Sequence, residues 1–293
     1  MSKIAVSVVV ITYGHEEFIT TCLDSILNQI TDFEFEVIVS NDQSPDTTDA
    51  VILNYLHQHP KAYKVKYFCQ SKNLGMMPNF VFTLKQAQGK YIATLEGDDY
   101  WIDQYKLQKQ YDYLSKNQDF TFVLGGNDAL LSNGQYKIKE FSTWANRVYD
   151  VSMINEMSFH FSTFMFLKEA MKVGELLENS YAKDFSILFY ALHQGKAFFI
   201  DSVFSVYRLH LNSNWSSKSK VKNLSWDFNE LHFLIKRYGY SSALRKRFIH
   251  VGLDLYVALK GNRKEQLTVG LSILKNIRSL KHLLYFGKVI IRN

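Results

Sequence analysis

The chain has 293 residues, 47% of them hydrophobic, with 14 glycines, 3 prolines and a formal net charge of +6. This composition supports one large domain, or one domain with an appendage, and excludes collagen-like, low-complexity and disordered chains. Cys22 and Cys69 are the only cysteines, too few for a disulfide framework or a zinc cluster, and imply a reducing compartment.

The chain opens on "AVSVVVITY" (5–13), a near-continuous β-branched run that predicts a strand buried on both faces rather than a signal peptide. In "EEFITTCLDSILNQ", Phe18, Cys22, Ile26 and Ile30 recur at helical spacing. "FEVIVSND" (35–42) is a second buried strand, and "DTTDAVILNYLHQH" a second helix that Asp46 or Thr47 can cap. "VKYFCQ" is a third strand, residues 76–88 a third helix and "YIATLE" (91–96) a fourth strand. Alternation of this kind predicts a parallel sheet with right-handed crossovers. Ligands bind such sheets beyond the carboxyl ends of the strands, where "TYGHEE", "SNDQSPDTT", "SKNLG" and "EGDDYW" all fall.

After Lys109 the pattern is mixed. "FTFVLGGNDALLSNGQYKIKEF" predicts strands about an Asn133–Gly134 turn. "FHFSTFMFLKEAMKV" predicts a strand leading into a helix, and residues 183–210 a helix, a glycine stop and two short strands. From about Lys222 the chain reads as helical throughout.

The sharpest chemical signal is Glu96, Asp98 and Asp99 at the mouth of a buried strand. One reading is a capped turn, since Asp and Gly are turn residues. The other is a metal clamp: carboxylates this close repel one another unless a cation or donors compensate them, and Mg²⁺ or Mn²⁺ favours carboxylate and phosphate oxygens. Asp42, at the second strand end, is either an Asx-turn residue or an acceptor for a nucleobase N–H. Asn73 and backbone amides follow the third strand. Asp184 is either a helix cap or a general base.

Four stretches in order, "SVVVITYGHEEFITTCLDSILNQ", "VIVSNDQSPDTT", "NLGMMPN" and "TLEGDDYW", resemble the inverting glycosyltransferases of family 2, and "AKDFSILFYALHQGKAFFIDSVFSVYRLH" continues the likeness to about residue 215. The resemblance implies a GT-A fold: a Rossmann-like, mostly parallel α/β sheet with the nucleotide-sugar site at the strand carboxyl ends. It implies transfer of a sugar from a nucleotide diphosphate sugar, here a UDP-sugar, to a hydroxyl of a glycan or lipid-linked acceptor in surface-polysaccharide synthesis, assisted by Mn²⁺ or Mg²⁺. By this likeness Thr12, Tyr13 and Glu16 wrap the uridine and Asp42 meets the base. Asn73, Glu96, Gly97 and Asp98 contact the nucleotide sugar. Asp98, with Asp99 as the alternative and His210 beside them, holds the metal, and Asp184 is the catalytic base. Trp101 and His160 are assigned to the acceptor pocket, where aromatic faces suit sugars, although Trp101 reads more readily as core. Asn41 and Gln43 depart from the family's D-D-G-S pattern, which leaves the nucleotide open.

The charge is divided along the chain. Residues 216–293 carry sixteen Lys and Arg against four acidic residues, a balance of +12, while 1–215 carry 18 basic and 24 acidic residues, a balance of −6. We therefore expect a transferase domain at 1–221 and a basic helical region at 222–293. That region either packs on the domain or contacts an anionic membrane, and it shows no nucleic-acid module. No stretch reaches the roughly 18 apolar residues of a membrane span. The expected place is the cytoplasm, with peripheral contact at the inner face of the cell membrane. Two other functions compete. A nucleotidyltransferase needs a basic glycine-rich phosphate loop, which "TYGHEEF" lacks; a non-catalytic sugar-nucleotide binder or membrane scaffold has no need of both Asp98 and Asp184.

Overall fold

A computed structural model describes residues 4–157, 159–210, 219–239, 241–277 and 287. The elements run β1 (Val6–Thr12), α1 (Ile19–Leu27), β2 (Phe35–Asn41), α2 (Thr48–Gln58), β3 (Val65–Cys69), α3 (Met76–Gln86), β4 (Tyr91–Glu96) and β5 (Tyr100–Trp101). They continue with α4 (Lys106–Lys116), β6 (Phe120–Leu130), β7 (Tyr136–Lys137), β8 (Arg147–Tyr149), β9 (Met165–Leu167), α5 (Val173–Glu178), α6 (Asp184–Gln194) and β10 (Lys196–Arg208). Helices α7 (Lys220–Tyr238), α8 (Ser242–Ala258) and α9 (Arg263–Asn276) complete the described chain.

The sheet order is β3-β2-β1-β4-β9-β6-β10-β5, with β7 on β6 and β8 on β10. The first four strands are mutually parallel, as the alternation of strands and helices predicts. Strand alternation explains why β1 carries no polar face. Val8 and Val10 enter one apolar cluster with α1 and α4, and Val9 and Ile11 enter the opposite one with α3 and α6. Pairing of Thr12 with Asn41, Ile11 with Glu96 and Asn41 with Cys69 ends the strands together, so the loops that follow them share one rim.

The later chain departs from the expected pattern in two places. Residues 159–173 form a strand of three residues, β9, antiparallel to β4 and β6, followed by a 3-10 turn at 168–170; the helix starts only at Val173. The apolar run there fills the sheet's centre, which a helix of that length cannot do. The two short strands expected near the end of the family-like segment are one, β10, whose pairing with β6 shifts register between Phe199 and Val203 and again between Val203 and Ser205. Those irregularities bend a single strand where the polar residues Asp201 and Ser202 read as a break.

Helices α7 to α9 pack on the sheet domain. Phe228, Leu231, Leu234, Phe248, Leu253 and Ile273 belong to the same apolar cluster as Phe185, Phe189 and Phe199. The expected boundary at 221/222 cuts the first turn of α7, which starts at Lys220 with Ser219 as its cap. The helical run expected from about Lys222 is described as far as α9, which ends at Asn276, and its continuation beyond residue 277 lies outside the described residues apart from Gly287. Among the described residues no helix is long and apolar enough to cross a membrane.

Candidate active site

The loops at the carboxyl rim are tied to one another by side chains. Behind β1, the backbone N–H of Gly14 donates to Ser44 Oγ at 2.9 Å, that of His15 to Thr48 Oγ1 at 2.9 Å and that of Glu16 to Asp46 Oδ2 at 3.2 Å. Glu16 Oε2 in turn accepts from Thr47 N at 2.8 Å, so the carboxylate expected near the uridine also fastens the start of α2. Asp46, rather than Thr47, caps that helix, accepting from Thr48 N at 3.1 Å. Tyr13 and Asn73 stand exposed at the rim.

Asp42 is buried, and both its oxygens serve the loop after β3: Oδ1 accepts from Leu74 N at 2.7 Å and Oδ2 from Gly75 N at 2.8 Å. Burial nevertheless holds its carboxyl above the usual range. Gln43 beside it is left-handed, with φ +56°, although it carries a side chain.

The acidic turn follows β4. Gly97 donates to Ile11 O at 3.0 Å, and a Cβ on it would lie 2.4 Å from Thr12 Oγ1. A glycine is therefore required for the turn to close against β1, a packing role that the reading of Gly97 as a ligand contact did not include. The two aspartates then diverge. Asp98 Oδ2 lies 3.0 Å from His210 Nε2 and 3.6 Å from His15 Nε2. Asp99 turns inward, where Oδ1 accepts from Arg208 N at 3.0 Å and Oδ2, fully buried, has no hydrogen-bond partner. The nearest ring nitrogen to that oxygen is Nδ1 of His160, at 3.8 Å. His160 Nδ1 accepts from Ser162 N at 3.3 Å and so offers a lone pair, not a proton.

Electrostatics separate these groups. Burial, then the charge of Asp98, pushes Glu96 and Asp99 well above the ordinary carboxyl range. Burial also opposes ionisation of Asp98, but its His210 hydrogen bond and the neighbouring His15 outweigh it and hold Asp98 low. Burial lowers His15 against the pull of Asp98, and takes His160 down to about 4, so both rings are neutral near pH 7. Asp184 is the first residue of α6; burial raises it against the opposing charge of Lys183, and its own charge is felt by Glu96 and Asp99.

His15, Asp98 and His210 place three ligand atoms within 4.8 Å of one another, and Glu96, Asp99 and His160 do the same. The first set suits a cation. His15 Nδ1 is engaged by Thr12 Oγ1 at 3.1 Å, which leaves Nε2 facing Asp98. Two imidazole nitrogens with a carboxylate suit a divalent transition-metal ion better than Mg²⁺. His15 was absent from the sequence-derived set, though it stands in the polar cluster directly after β1. The residues assigned to the acceptor separate. Trp101 is 4% exposed, donates Nε1–H to Ser162 O at 2.8 Å and lies 4.1 Å beneath Lys106 Nζ, so its ring is core and presents no face to a sugar. His160 stands beside the acid cluster with its ring on Tyr207.

A parallel sheet with an acidic crevice at its carboxyl rim, closed by a mixed sheet half, is the GT-A fold of nucleotide-sugar transferases. Residues 7–174 match the model of glycosyl transferase family 2, and the chain belongs to that family. An uncharacterized protein of Mycobacterium tuberculosis is 28% identical over 223 residues, covering 75% of this chain; the chain spans 63% of that relative's length. Among solved structures, Staphylococcus aureus TarS residues 1–349 in complex with UDP-GlcNAc superposes with a TM-score of 0.60 at 17% identity, over 98% of this chain and 79% of that one. The mannosyltransferase PcManGT of Pyrobaculum calidifontis, in complex with GDP-Man and Mn²⁺, gives 0.55 at 17% identity, over 99% and 81%. At such identities the likeness establishes the fold.

Proposed function

We propose that the protein is an inverting glycosyltransferase that moves a sugar from a nucleoside diphosphate, UDP in the first instance, to a hydroxyl of a glycan or lipid-linked acceptor in surface-polysaccharide synthesis. The observation that carries the proposal is the meeting of Asp98, His15 and His210 with Glu96, Asp99 and Asp184 at one end of the parallel strands. The fold neighbours solved with UDP-GlcNAc and with GDP-Man and Mn²⁺ support a nucleotide-sugar donor. The rim loops bearing Thr12, Tyr13, Glu16, Asp42 and Asn73 are assigned to the nucleotide, with Asp42 also holding the loop that would face the base.

In this reading Asp98, His210 and His15 would hold a divalent cation, which would supply positive charge opposite the departing diphosphate. Asp184 accepts the proton of the acceptor hydroxyl as its oxygen bonds to the anomeric carbon and the bond to the diphosphate breaks. One displacement of this kind inverts the anomeric centre. A raised carboxyl suits the task, because it binds the incoming proton more readily than an ordinary carboxylate. His160 is kept on the acceptor side of the crevice. A screen of nucleotide-sugar donors for nucleoside diphosphate release, with and without Mn²⁺, tests the whole assignment; no metal-dependent release with any donor would remove it.

The basic C-terminal helices support contact with an anionic membrane surface. Leu267, Leu271 and Leu274 of α9 form a stripe 64%, 50% and 42% exposed at helical spacing, and Arg263, Lys264 and Lys275 of the same helix are exposed too.

A further inference from the structure

We propose that Glu230 of α7 is a positioning residue for Asp184, so that the C-terminal helices set the geometry of the reaction. The inference rests on the assignment of Asp184 as the base. Helix α6 begins at Asp184 with Lys183 in the capping position, and Lys183 supplies no side-chain cap. The free N–H groups of a helix start must find acceptors elsewhere. Glu230 provides one from 44 residues and one helix away. Its Oε1 accepts from Ser186 Oγ at 2.6 Å, Lys183 N at 2.9 Å and Ser186 N at 3.1 Å. These bonds bracket Asp184 on both sides.

Neighbouring contacts act on the same short stretch. Lys183 Nζ pairs with Asp227, one turn before Glu230. Trp226 Nε1–H donates to Tyr181 O at 2.8 Å, and the Arg247 guanidinium lies 4.4 Å over the Phe185 ring. Positions 181, 183, 185 and 186 are thus each held by α7 or α8, while Asp184 itself lies close enough to Glu96 and Asp99 for its charge to act on both. The arrangement is specific. Glu230 is 2% exposed, and burying a carboxylate is unfavourable unless its hydrogen bonds are well made. An apolar residue would fill the same space at lower cost, so packing alone does not account for a carboxylate here. Orientation does, because a base displaced by about 1 Å loses on the order of 10²-fold in rate.

The test compares Glu230→Ala, Glu230→Asp and Glu230→Gln in the full-length protein, with the donor found by the screen above. Glu230→Ala should lower kcat roughly 10- to 100-fold, with donor KM and calorimetric affinity for the nucleoside diphosphate unchanged. Glu230→Gln keeps an acceptor oxygen in place and should recover most of that loss. Glu230→Asp, which withdraws the oxygen by one methylene, keeps the question open to measurement if the alanine variant does not fold; it should lose kcat in the same manner. In an Asp184→Asn background Glu230→Ala should change the residual rate less than about 2-fold, since the two act as one unit. Losses that multiply in the double variant, a loss confined to KM, or wild-type kcat in a folded Glu230→Ala and Glu230→Asp would each overturn the inference. Wild-type transfer by Asp184→Asn alone would instead refute the base assignment on which it rests.

Discussion

Asp98 Oδ2 and His210 Nε2 lie 3.0 Å apart although 112 positions separate them, because β4 and β10 both deliver their ends to the same rim. With His15 as the third member, the pair makes one prediction about metal. Asp98→Asn should abolish the Mn²⁺-dependent part of UDP binding and leave the fold intact. Calorimetric titration of UDP with and without Mn²⁺ reads this directly; an undiminished metal-dependent term would take Asp98 out of the cation site.

Asp184→Asn should preserve nucleotide and metal binding and lower transfer by roughly 10²–10⁴-fold, the usual contribution of a positioned base. The proposed base works ionised, and Asp184 is raised by burial, so kcat should rise with pH through a carboxyl ionisation displaced upward from the ordinary value of 3.8. Proton NMR of the product should report the anomeric configuration opposite to the donor's. Retention of configuration would exclude a single displacement.

Gln43 occupies the left-handed region at the place where the D-D-G-S pattern has glycine. A side chain there costs roughly 1–2 kcal/mol, partly offset by the greater freedom of glycine in the unfolded chain. Gln43→Gly should therefore raise stability by about 1 kcal/mol. A lower midpoint in thermal denaturation would mean that the Gln43 side chain contributes more than its backbone strain costs.

Glu230 gives a pH prediction of defined sign. Burial raises its carboxyl to about 7 from an ordinary 4.5, so the folded state holds a proton that the unfolded state has already released. Its contribution to stability is complete below pH 4.5 and is lost as pH rises to about 7. Glu230→Gln, which cannot ionise, should gain on wild type by roughly 3 kcal/mol across that window. Parallel urea titrations at pH 5 and 8 measure the difference. A constant gap between the two proteins would show that Glu230 does not titrate in this range.

Vesicles containing anionic lipid should bind the protein in a salt-sensitive way. Arg263→Glu, Lys264→Glu and Lys275→Glu together should weaken that binding, as should Leu271→Ser. Arg247, which an inspection of charge alone would include, is unsuitable because it is packed on Phe185. Equal sedimentation of wild type and the reversed variant would assign α9 to packing only.

The first half of the fold was legible because β1, β2 and β4 are buried on both faces and therefore read as largely apolar runs, while the half-exposed edge strand β3 was legible from the alternation of strands and helices. The acidic turn was legible for a related reason: Glu96, Asp98 and Asp99 interrupt such a run with charge. β9 and β10 were not legible. Their identity depends on neighbours distant in sequence, and a bulge at 200–203 looks like a strand end. Trp101 shows the same limit at the level of one side chain, since its burial comes from neighbours distant in sequence, the α1 residues Leu23 and Ile26 and the carbonyl of Ser162 among them. Glu230 carried no local sign at all; an acidic residue on a basic helix becomes meaningful only beside the uncapped start of α6.

The stitching of Gly14, His15 and Glu16 to Ser44, Thr48 and Asp46, and of Leu74 and Gly75 to Asp42, has a kinetic consequence. A nucleotide bound against these described loops, as proposed, would meet walls already tied together. Capture should then be a single exponential in a stopped-flow trace, its rate linear in nucleotide concentration without a plateau, and the small entropy of ordering should leave most of the contact energy available to hold the ligand.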